Sequence, residues 1–288
     1  MKYLVTGAAG QLGSTFVQRL SRDGADVVAL TRAALDLTDV AQVQATIARE
    51  RPGVILNCAA YNAVDNAEDD APGALAVNAF GVHALARAAL RTGARLVHYS
   101  TDFVFDGFAT RPYTESDPAN PRSVYGQSKL VGEWLALTAP DALVLRVESL
   151  FGGPAARSSI DRIAAALRAG EAARVFVDRV VTPSFVDDVV EATLQLLARG
   201  AAPGIYHCVN TGETTWYGLG EAIARLLGVE PRLTPVKVAE VPMRAPRPQY
   251  CALSNAKLAA AGVEMPRWED AIARYLTRGG PTVRTAVH

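Results

Sequence analysis

Short apolar runs alternate with longer segments of helical periodicity through the first half of the chain. Continuous apolar runs are typical of strands covered on both faces, as in a parallel sheet. The runs predict strands at 3–5, 27–30, 54–57, 96–99 and 143–146. Apolar positions at helical spacing predict helices at 11–23, 39–50, 73–92 and 124–138. This alternation predicts right-handed βαβ units and therefore an α/β fold with a Rossmann-type, doubly wound parallel sheet.

The pattern loosens after residue 150. It predicts helices at 159–169, 187–199 and 216–227 and a strand at 204–209. The segment 229–250 contains five prolines and is expected to be mostly loop, which in a compact protein is often functional.

These elements suggest a division of the chain into two parts without a clean linker. We expect a large domain at 1–150, joined by parts of 170–210. Residues 151–278 are expected to form most of a smaller, discontinuous C-terminal α/β lobe that contributes substrate contacts. The stretch 279–288 lacks periodicity and is expected to be a loose tail.

Composition narrows the class of protein. The chain has 288 residues, of which 50% are hydrophobic, and its 29 Lys and Arg balance 29 Asp and Glu. So apolar and neutral a composition argues against intrinsic disorder. The balance also removes the excess positive charge that a general nucleic-acid binder or a polybasic membrane patch requires, so we expect neither partner.

The cysteines and the N-terminus bear on location. Cys58, Cys208 and Cys251 show no disulfide or zinc-site spacing, and the histidines show no metal-ligand pattern, so we expect no metal. No signal peptide is recognisable at the N-terminus, and we expect no apolar run long enough to span a membrane. We therefore expect a cytoplasmic protein.

A glycine motif follows the first predicted strand. Gly7, Gly10 and Gly13 have G-x-x-G-x-x-G spacing and open the predicted helix at 11–23. Such glycines permit a tight turn, the approach of a pyrophosphate to backbone N–H groups, and close helix–strand packing. The helix N-terminus supplies further N–H groups and a positive dipole end. The motif predicts dinucleotide binding; a purely structural turn is the alternative.

The end of the second predicted strand bears on the choice of dinucleotide. An acidic residue there binds the ribose 2′-hydroxyl of NAD, whereas an arginine accommodates the 2′-phosphate of NADP. The chain has Arg32 at this point and no carboxylate until Asp36. This favours NADPH, and NADH is left open because Arg32 could equally be a solvated surface charge.

Tyr125 and Lys129 lie four residues apart at the start of a predicted helix, so their side chains share one face. Reducing a carbonyl requires hydride on carbon and a proton on oxygen. A phenol can supply that proton if a nearby cation, here Lys129, brings its pKa toward the working pH. Thr101, at the end of a predicted strand, can donate to the same oxygen. A buried tyrosine beside a surface lysine is the alternative.

These residues resemble the dTDP-4-dehydrorhamnose reductase family of the extended short-chain dehydrogenase/reductase superfamily. The resemblance covers most of the chain. It rests on the strings GAAGQLG at 7–13, LDLTD at 35–39, NCAAYNAVDNAE at 57–68, YSTDFVFDG at 99–107, RP at 247–248 and SNAKL at 254–258.

The resemblance implies roles for individual residues. Tyr125 would be the proton donor and Lys129 its partner, which also holds the nicotinamide ribose. Thr101 would bind the reacting oxygen, and Asp102 would contact the sugar. Together with the residues argued above, the expected cofactor site comprises Gly7, Gly10, Gln11, Leu12, Gly13, Arg32, Asp36, Leu37, Ala59, Ala60, Tyr61, Asn62, Tyr99 and Lys129.

Two positions bear on the reaction and the sugar. Phe103 follows Asp102 where sugar-nucleotide 4,6-dehydratases commonly have glutamate, which favours simple reduction. Ser149 stands where the family often has a tryptophan on the sugar ring. Ser149 or Glu148 is therefore expected to hydrogen-bond a differently substituted sugar, unless Phe151 or a side chain of the C-terminal lobe covers the gap. Arg247, in the Pro-rich segment, could clamp a pyrophosphate bidentately, with surface solvation as the alternative.

The expected activity is NAD(P)H-dependent reduction of the 4-keto group of a nucleotide-linked 6-deoxyhexose. The resemblance implies dTDP-4-dehydrorhamnose as substrate and dTDP-L-rhamnose as product. The alternatives are a reductase or epimerase of another nucleotide sugar, or a non-catalytic NADP-binding regulatory subunit. A homodimer is one expected assembly.

Overall fold

The computed structural model describes residues 1–154 and 158–277, so the predicted tail at 279–288 lies outside the described residues. The strands are β1 (Lys2–Thr6), β2 (Asp26–Leu30), β3 (Val54–Asn57), β4 (Arg95–Thr101), β5 (Leu143–Val147), β6 (Leu150–Phe151), β7 (Ala173–Phe176), β8 (Val180–Val181), β9 (Ser184–Phe185), β10 (Gly204–His207), β11 (Thr214–Thr215) and β12 (Leu233–Val236).

The α-helices are α1 (Gln11–Arg22), α2 (Val40–Glu50), α3 (Val64–Ala67), α4 (Ala71–Leu75), α5 (Val82–Thr92), α6 (Val124–Ala136), α7 (Ser159–Arg168), α8 (Val186–Ala198), α9 (Trp216–Leu227), α10 (Ala256–Ala260) and α11 (Trp268–Thr277). The predicted helices are present with ends within two residues of the prediction, whereas α3, α10 and α11 were not predicted.

Six parallel strands form the central sheet in the order β10-β5-β4-β3-β1-β2. Successive residues of a strand enter different cores: Val5 belongs to the core shared with α1 and α8, and Leu4 to the core shared with α2 and α5. Burial on both faces explains why the strands read as continuous apolar runs. The predicted Rossmann-type, doubly wound α/β fold is confirmed. Its topological switch point lies between β1 and β3, where such sheets bind ligands.

α4 and α5 are joined by a π-helical turn, Ala76–Gly81, into one helix over Ala71–Thr92. Contrary to the sequence expectation that no apolar run reaches membrane-spanning length, this helix could cross a membrane by length and composition alone, since its most apolar 18-residue window has a mean hydropathy of 1.3. However, 56% of that window is buried inside the protein, and the helix packs against α2 and α6. It therefore has the character of a core helix.

The C-terminal part adds three small two-stranded sheets to the carboxyl edge of the central sheet. β6 pairs with β9, β11 with β8, and β12 with β7. The Pro-rich segment is thus mostly loop, as predicted, but contains the strand β12, which the proline count concealed. β10 returns to the central sheet beside β5, and α8 packs against α1.

Candidate active site

The glycine turn between β1 and α1 has the geometry of an anion cradle. Gly7 has φ +62°, and a Cβ there would lie 2.7 Å from the backbone nitrogen of Ala59. Gly10 donates its N–H to the Gly7 carbonyl at 2.8 Å and leaves the start of α1 without a side-chain cap. Gly13 packs against the Gly7 carbonyl. The first N–H groups of α1 are therefore available to an anion.

A cavity of about 370 Å³ extends from this turn past the end of β2. Arg32 and Asp36 both line it, and Arg32 is exposed. The Asp36 carboxylate accepts hydrogen bonds from the Thr38 N–H and hydroxyl at 2.9 and 2.8 Å, which hold the pKa of Asp36 below its usual value. The predicted cofactor-binding residues that line this cavity are Gly7, Gly10, Arg32, Asp36, Leu37, Ala59, Ala60, Tyr61 and Asn62.

A central cleft of about 450 Å³ continues from this cavity across the carboxyl ends of β4 and β5. It brings together twelve of the residues predicted from the sequence: Gly10, Gln11, Leu12, Ala59, Ala60, Asn62, Tyr99, Thr101, Asp102, Tyr125, Lys129 and Ser149. Gln11 also donates to the Gly152 carbonyl at 2.8 Å, which ties the start of α1 to the chain beyond β6.

The N-terminus of α6 positions the phenol. Ser123 caps the helix by accepting from the Gly126 N–H at 3.1 Å. A Cβ on Gly126 would collide with the Phe103 carbonyl, so glycine permits the close approach of α6 to the turn after β4. The ring of Tyr125 then packs edge-on against Phe103, with ring centres 5.6 Å apart.

The electrostatics of Tyr125 differ from the sequence expectation. Burial and the Asp102 carboxylate raise the pKa of the phenol well above its usual value, and the Thr101 hydroxyl only partly offsets them. We expected Lys129 to lower this pKa. That expectation is wrong in this structure: Lys129 makes no contribution to the pKa of Tyr125, and its ammonium donates instead to the backbone carbonyl of Tyr99 on β4.

Lys129 is buried and donates to the Tyr99 carbonyl at 2.5 Å, with His98 Nε2 3.5 Å away. Burial lowers the pKa of Lys129 to about 8, with the nearby Glu133 acting in the opposite direction. Tyr99 presents only its backbone here, because its hydroxyl is hydrogen-bonded to Thr193 on α8 at 2.9 Å. The ammonium thus lies on the cleft wall, ready to exchange a carbonyl acceptor for a ligand hydroxyl.

Thr101 ends β4 beside the phenol. Its hydroxyl donates to Asp102 Oδ1 at 2.9 Å and accepts from the Phe103 N–H at 3.2 Å. Asp102 is almost fully buried, and its Oδ2 has no hydrogen-bond partner. Burial raises the pKa of Asp102, and Arg179 is the main influence opposing that shift. An unpartnered buried oxygen in a cleft is a site for a ligand donor.

The structure also brings into the cleft Arg179, which sequence reasoning missed. Glu148, the sequence's alternative to Ser149, lines the cleft as well and accepts from the Ser149 hydroxyl at 2.8 Å. Ser149 has φ +44°, a strained conformation for a non-glycine residue. Nothing local in the sequence marked Arg179.

Arg247 does not line the central cleft. Its Nη2 donates to Asp65 Oδ2 at 2.8 Å, and its Nη1 donates to the Ala245 carbonyl at 3.2 Å. The predicted pyrophosphate clamp is therefore engaged by the Asp65 carboxylate on α3, and its guanidinium lies over the ring of Phe103, 5.8 Å from the ring centre.

A second cavity of about 400 Å³ adjoins the central cleft and is lined by several arginine side chains. Arg162 on α7, Arg174 on β7 and Arg179 line it, and Arg179 and Trp216 also belong to the central cleft. The indole N–H of Trp216 is buried without a partner. Three guanidinium groups around one cavity favour a phosphate-bearing ligand.

The chain matches the family described as the RmlD substrate binding domain over residues 1–280. It is 40% identical over 284 residues to the dTDP-4-dehydrorhamnose reductase of Mycobacterium tuberculosis, covering 96% of this chain and 92% of the relative. It is 40% identical over 280 residues to a probable dTDP-4,6-dihydroxy-2-methyloxan-3-one 4-ketoreductase of Streptomyces antibioticus, covering 94% and 93%. The solved Bacillus anthracis dTDP-4-dehydrorhamnose reductase in complex with NADP superimposes with a TM-score of 0.92 at 30% identity, covering 96% of this chain and 100% of that one.

Proposed function

The chain belongs to the RmlD substrate binding domain family, and from this membership and its cleft we propose that it is an NADPH-dependent sugar-nucleotide 4-ketoreductase. The substrate is dTDP-4-dehydrorhamnose and the product dTDP-L-rhamnose, as the names of its relatives support. The observation that carries the proposal is the placement of Tyr125, Lys129 and Thr101 on the same cleft as the glycine turn.

The residues present fit a nicotinamide dinucleotide. A Cβ at Gly7 would fill the space beside Ala59, and the N-terminal N–H groups of α1 have no side-chain cap. Arg32 lines the cavity after the end of β2 and would meet the 2′-phosphate, whereas the carboxylate of Asp36 is already engaged by Thr38. When bound, the reduced nicotinamide supplies the hydride. NADPH is therefore the proposed cofactor, and the NADP complex of the B. anthracis relative supports it.

The chain's own groups handle the oxygen and the proton. The Tyr125 phenol keeps its proton because burial and Asp102 raise its pKa, so it is a donor to a ketone oxygen that gains charge. The Thr101 hydroxyl can turn from Asp102 to the same oxygen. The Lys129 ammonium can bind the ribose hydroxyls of the cofactor from the cleft wall.

The nucleotide half of the substrate is proposed to occupy the second cavity. Its arginines, Arg162, Arg174 and Arg179, suit a diphosphate, and Arg179 lines both cavities. These residues replace Arg247, which the sequence had suggested for this role. The ketone then reaches the central cleft while the base stays in the smaller C-terminal part.

A substrate panel tests the proposal. NADPH oxidation is followed with the dTDP-, UDP- and GDP-linked 4-keto-6-deoxyhexoses, and the product is identified by chromatography against dTDP-L-rhamnose. We expect turnover with dTDP-4-dehydrorhamnose and at least tenfold lower kcat/KM with the other nucleotides. Absence of turnover with every member would contradict a reductase and favour the regulatory alternative.

Location and assembly are proposed on narrower grounds. The three cysteines are free, with Cys208 and Cys251 buried, which suits a reducing compartment, and we propose the cytoplasm. Homodimerisation and the absence of nucleic-acid and membrane partners remain predictions from the sequence.

A further inference from the structure

Asp102 and Glu148 place two buried carboxyl groups next to each other in the central cleft. Their exposed fractions are 4% and 2%. One carboxylate oxygen of each and the Sγ of Cys251 all lie within 4.8 Å of one another. The reduction described above gives Glu148 no role, although burying a carboxylate is costly without a purpose or a partner.

Most of the oxygens of this pair already have donors. Glu148 Oε1 accepts from the Ser149 hydroxyl, and Oε2 accepts from the Thr182 N–H. Asp102 Oδ1 accepts from the Thr101 hydroxyl. Asp102 Oδ2 is buried and has no partner. One acceptor on the cleft wall therefore remains for a ligand.

The charges around the pair do not neutralise it. Arg179 is the nearest cation, but its Nε donates to the Pro248 carbonyl at 3.2 Å and its Nη2 to Cys251 Sγ at 3.6 Å. Within residues 1–154 and 158–277, neither carboxylate forms an ion pair within 4.0 Å. Burial raises the pKa of both carboxyl groups, and the Asp102 charge raises that of Glu148 further.

Carboxyl oxygens within 4.8 Å of each other disfavour the simultaneous ionisation of both groups, because each negative charge raises the cost of the other. The other titratable groups facing the pair, the Tyr125 phenol and the Cys251 thiol, keep their own protons at neutral pH because burial raises the pKa of each. A metal ion is a poor alternative occupant, since the Arg179 guanidinium already lies against Cys251.

A carboxyl–carboxylate pair both donates and accepts, which matches a hydroxyl group. Asp102 directly follows Thr101, where the ketone oxygen is proposed to bind. In a 4-keto-6-deoxyhexose, one neighbour of the ketone is C3 with its hydroxyl, and the other is C5 with its methyl. We propose that Asp102 and Glu148 share one proton and together bind the C3 hydroxyl, which makes Glu148 a specificity-determining residue. This inference rests on the proposed function.

Substrate analogues test the role of Glu148. The kcat/KM of the wild type and of Glu148→Ala is compared for the parent 4-keto sugar nucleotide, its 3-deoxy analogue and its 2-deoxy analogue. We expect removal of the C3 hydroxyl to lower the wild-type kcat/KM about 10- to 100-fold, because a buried polar pair is left unmatched. In Glu148→Ala, removal of the C3 hydroxyl should lower kcat/KM less than about threefold, while removal of the C2 hydroxyl should lower it as much as in the wild type.

The matched control is Glu115→Gln, since Glu115 also accepts a backbone N–H, that of His207, but lies outside the cleft. Glu115→Gln should keep the wild-type ratio of kcat/KM between the parent substrate and each deoxy analogue. An unchanged 3-deoxy penalty in Glu148→Ala would overturn the inference while leaving the reductase intact; loss of all wild-type turnover would instead overturn the proposed function.

The shared proton has a readout that does not need turnover. In infrared difference spectra at pH 7, wild type minus Glu148→Gln should show a protonated-carboxyl C=O band. The single remaining carboxyl, Asp102, ionises once its neighbour is neutral. Absence of that band would contradict a shared proton. The measurement also serves if Glu148→Ala fails to fold, because the amide keeps the acceptor for the Thr182 N–H.

Discussion

The ammonium of Lys129 donates to the backbone carbonyl of Tyr99 at 2.5 Å, and both groups are shielded from solvent. Tyr99 itself is anchored to α8 through its hydroxyl. Contacts from β4 and α8 thus hold Lys129, which is the one lysine lining the central cleft among the described residues. Burial lowers the pKa of Lys129 to about 8, so keeping this side chain charged reduces the free energy of unfolding by a measurable amount.

Lys129→Met should stabilise the protein at pH 7 and inactivate it. Burial lowers the folded-state pKa from 10.5 to about 8, so below pH 8 both states carry the proton and the folded state bears the full cost. Between pH 8 and 10.5 the unfolded state binds more protons, so this cost fades as pH rises. Urea unfolding should show a gain of up to about 3 kcal/mol at pH 7 that shrinks at pH 10. A constant gain at both pH values would contradict the lowered pKa.

Arg32→Ala should weaken the binding of NADPH and leave that of NADH nearly unchanged. Loss of a charge-assisted contact to the 2′-phosphate is expected to raise KM for NADPH about 10- to 100-fold and to leave KM for NADH nearly unchanged. Steady-state kinetics with each cofactor measures this. Arg87→Ala, an exposed arginine on α5 outside both cavities, is the matched control. Equal changes in KM for NADPH and NADH would show that Arg32 does not bind the 2′-phosphate.

Gly7→Ala should lower cofactor affinity at least tenfold and lower Tm. The new Cβ would lie 2.7 Å from the Ala59 nitrogen in a backbone with φ +62°, so the turn must shift. Gly24→Ala separates strain from cradle geometry, because Gly24 has φ +72° but no neighbour within 4 Å. It should cost only about 1–2 kcal/mol and leave NADPH binding unchanged by calorimetry. Equal affinities for the two variants would refute the cradle.

Glu133→Gln should destabilise the fold by about 3–5 kcal/mol. Glu133 receives two hydrogen bonds from Arg146 at 2.8 and 2.7 Å, and their side chains are 0% and 4% exposed. The amide would leave the buried guanidinium without its counter-charge. The exposed pair between Arg267 and Glu269 is the control, and Glu269→Gln should cost less than about 1 kcal/mol in the same urea titration. Similar costs would mean that burial does not strengthen the Arg146 pair.

The sequence predicted the elements whose signal is local. The strand at Val54–Asn57 and the helix at Trp216–Leu227 lie where the apolar pattern placed them. The strand Leu233–Val236 was missed because its partner, β7, lies about 60 residues earlier and gives it no local signature. A proline within it also argues for loop, yet an edge strand tolerates one.

The candidate site divides in the same way. The glycine turn and Tyr125 with Lys129 were recognisable because their spacing within one element is itself the signal. Arg179 reaches the cleft only through the packing of the loop between β7 and β8, whereas Arg247 does not line the cleft and is paired with Asp65. The direction of the Lys129 ammonium depends on the carbonyl of a neighbouring strand, which no spacing in α6 reveals.

The central claim is that Tyr125 delivers the proton to a ketone reduced by NADPH, and Tyr125→Phe tests it most directly. The phenyl ring keeps the contact with Phe103 and loses only the hydroxyl. With dTDP-4-dehydrorhamnose, stopped-flow NADPH oxidation should fall about 10²- to 10⁴-fold in kcat, while the Kd for NADPH stays within about threefold of the wild type. Undiminished turnover in Tyr125→Phe would contradict the account.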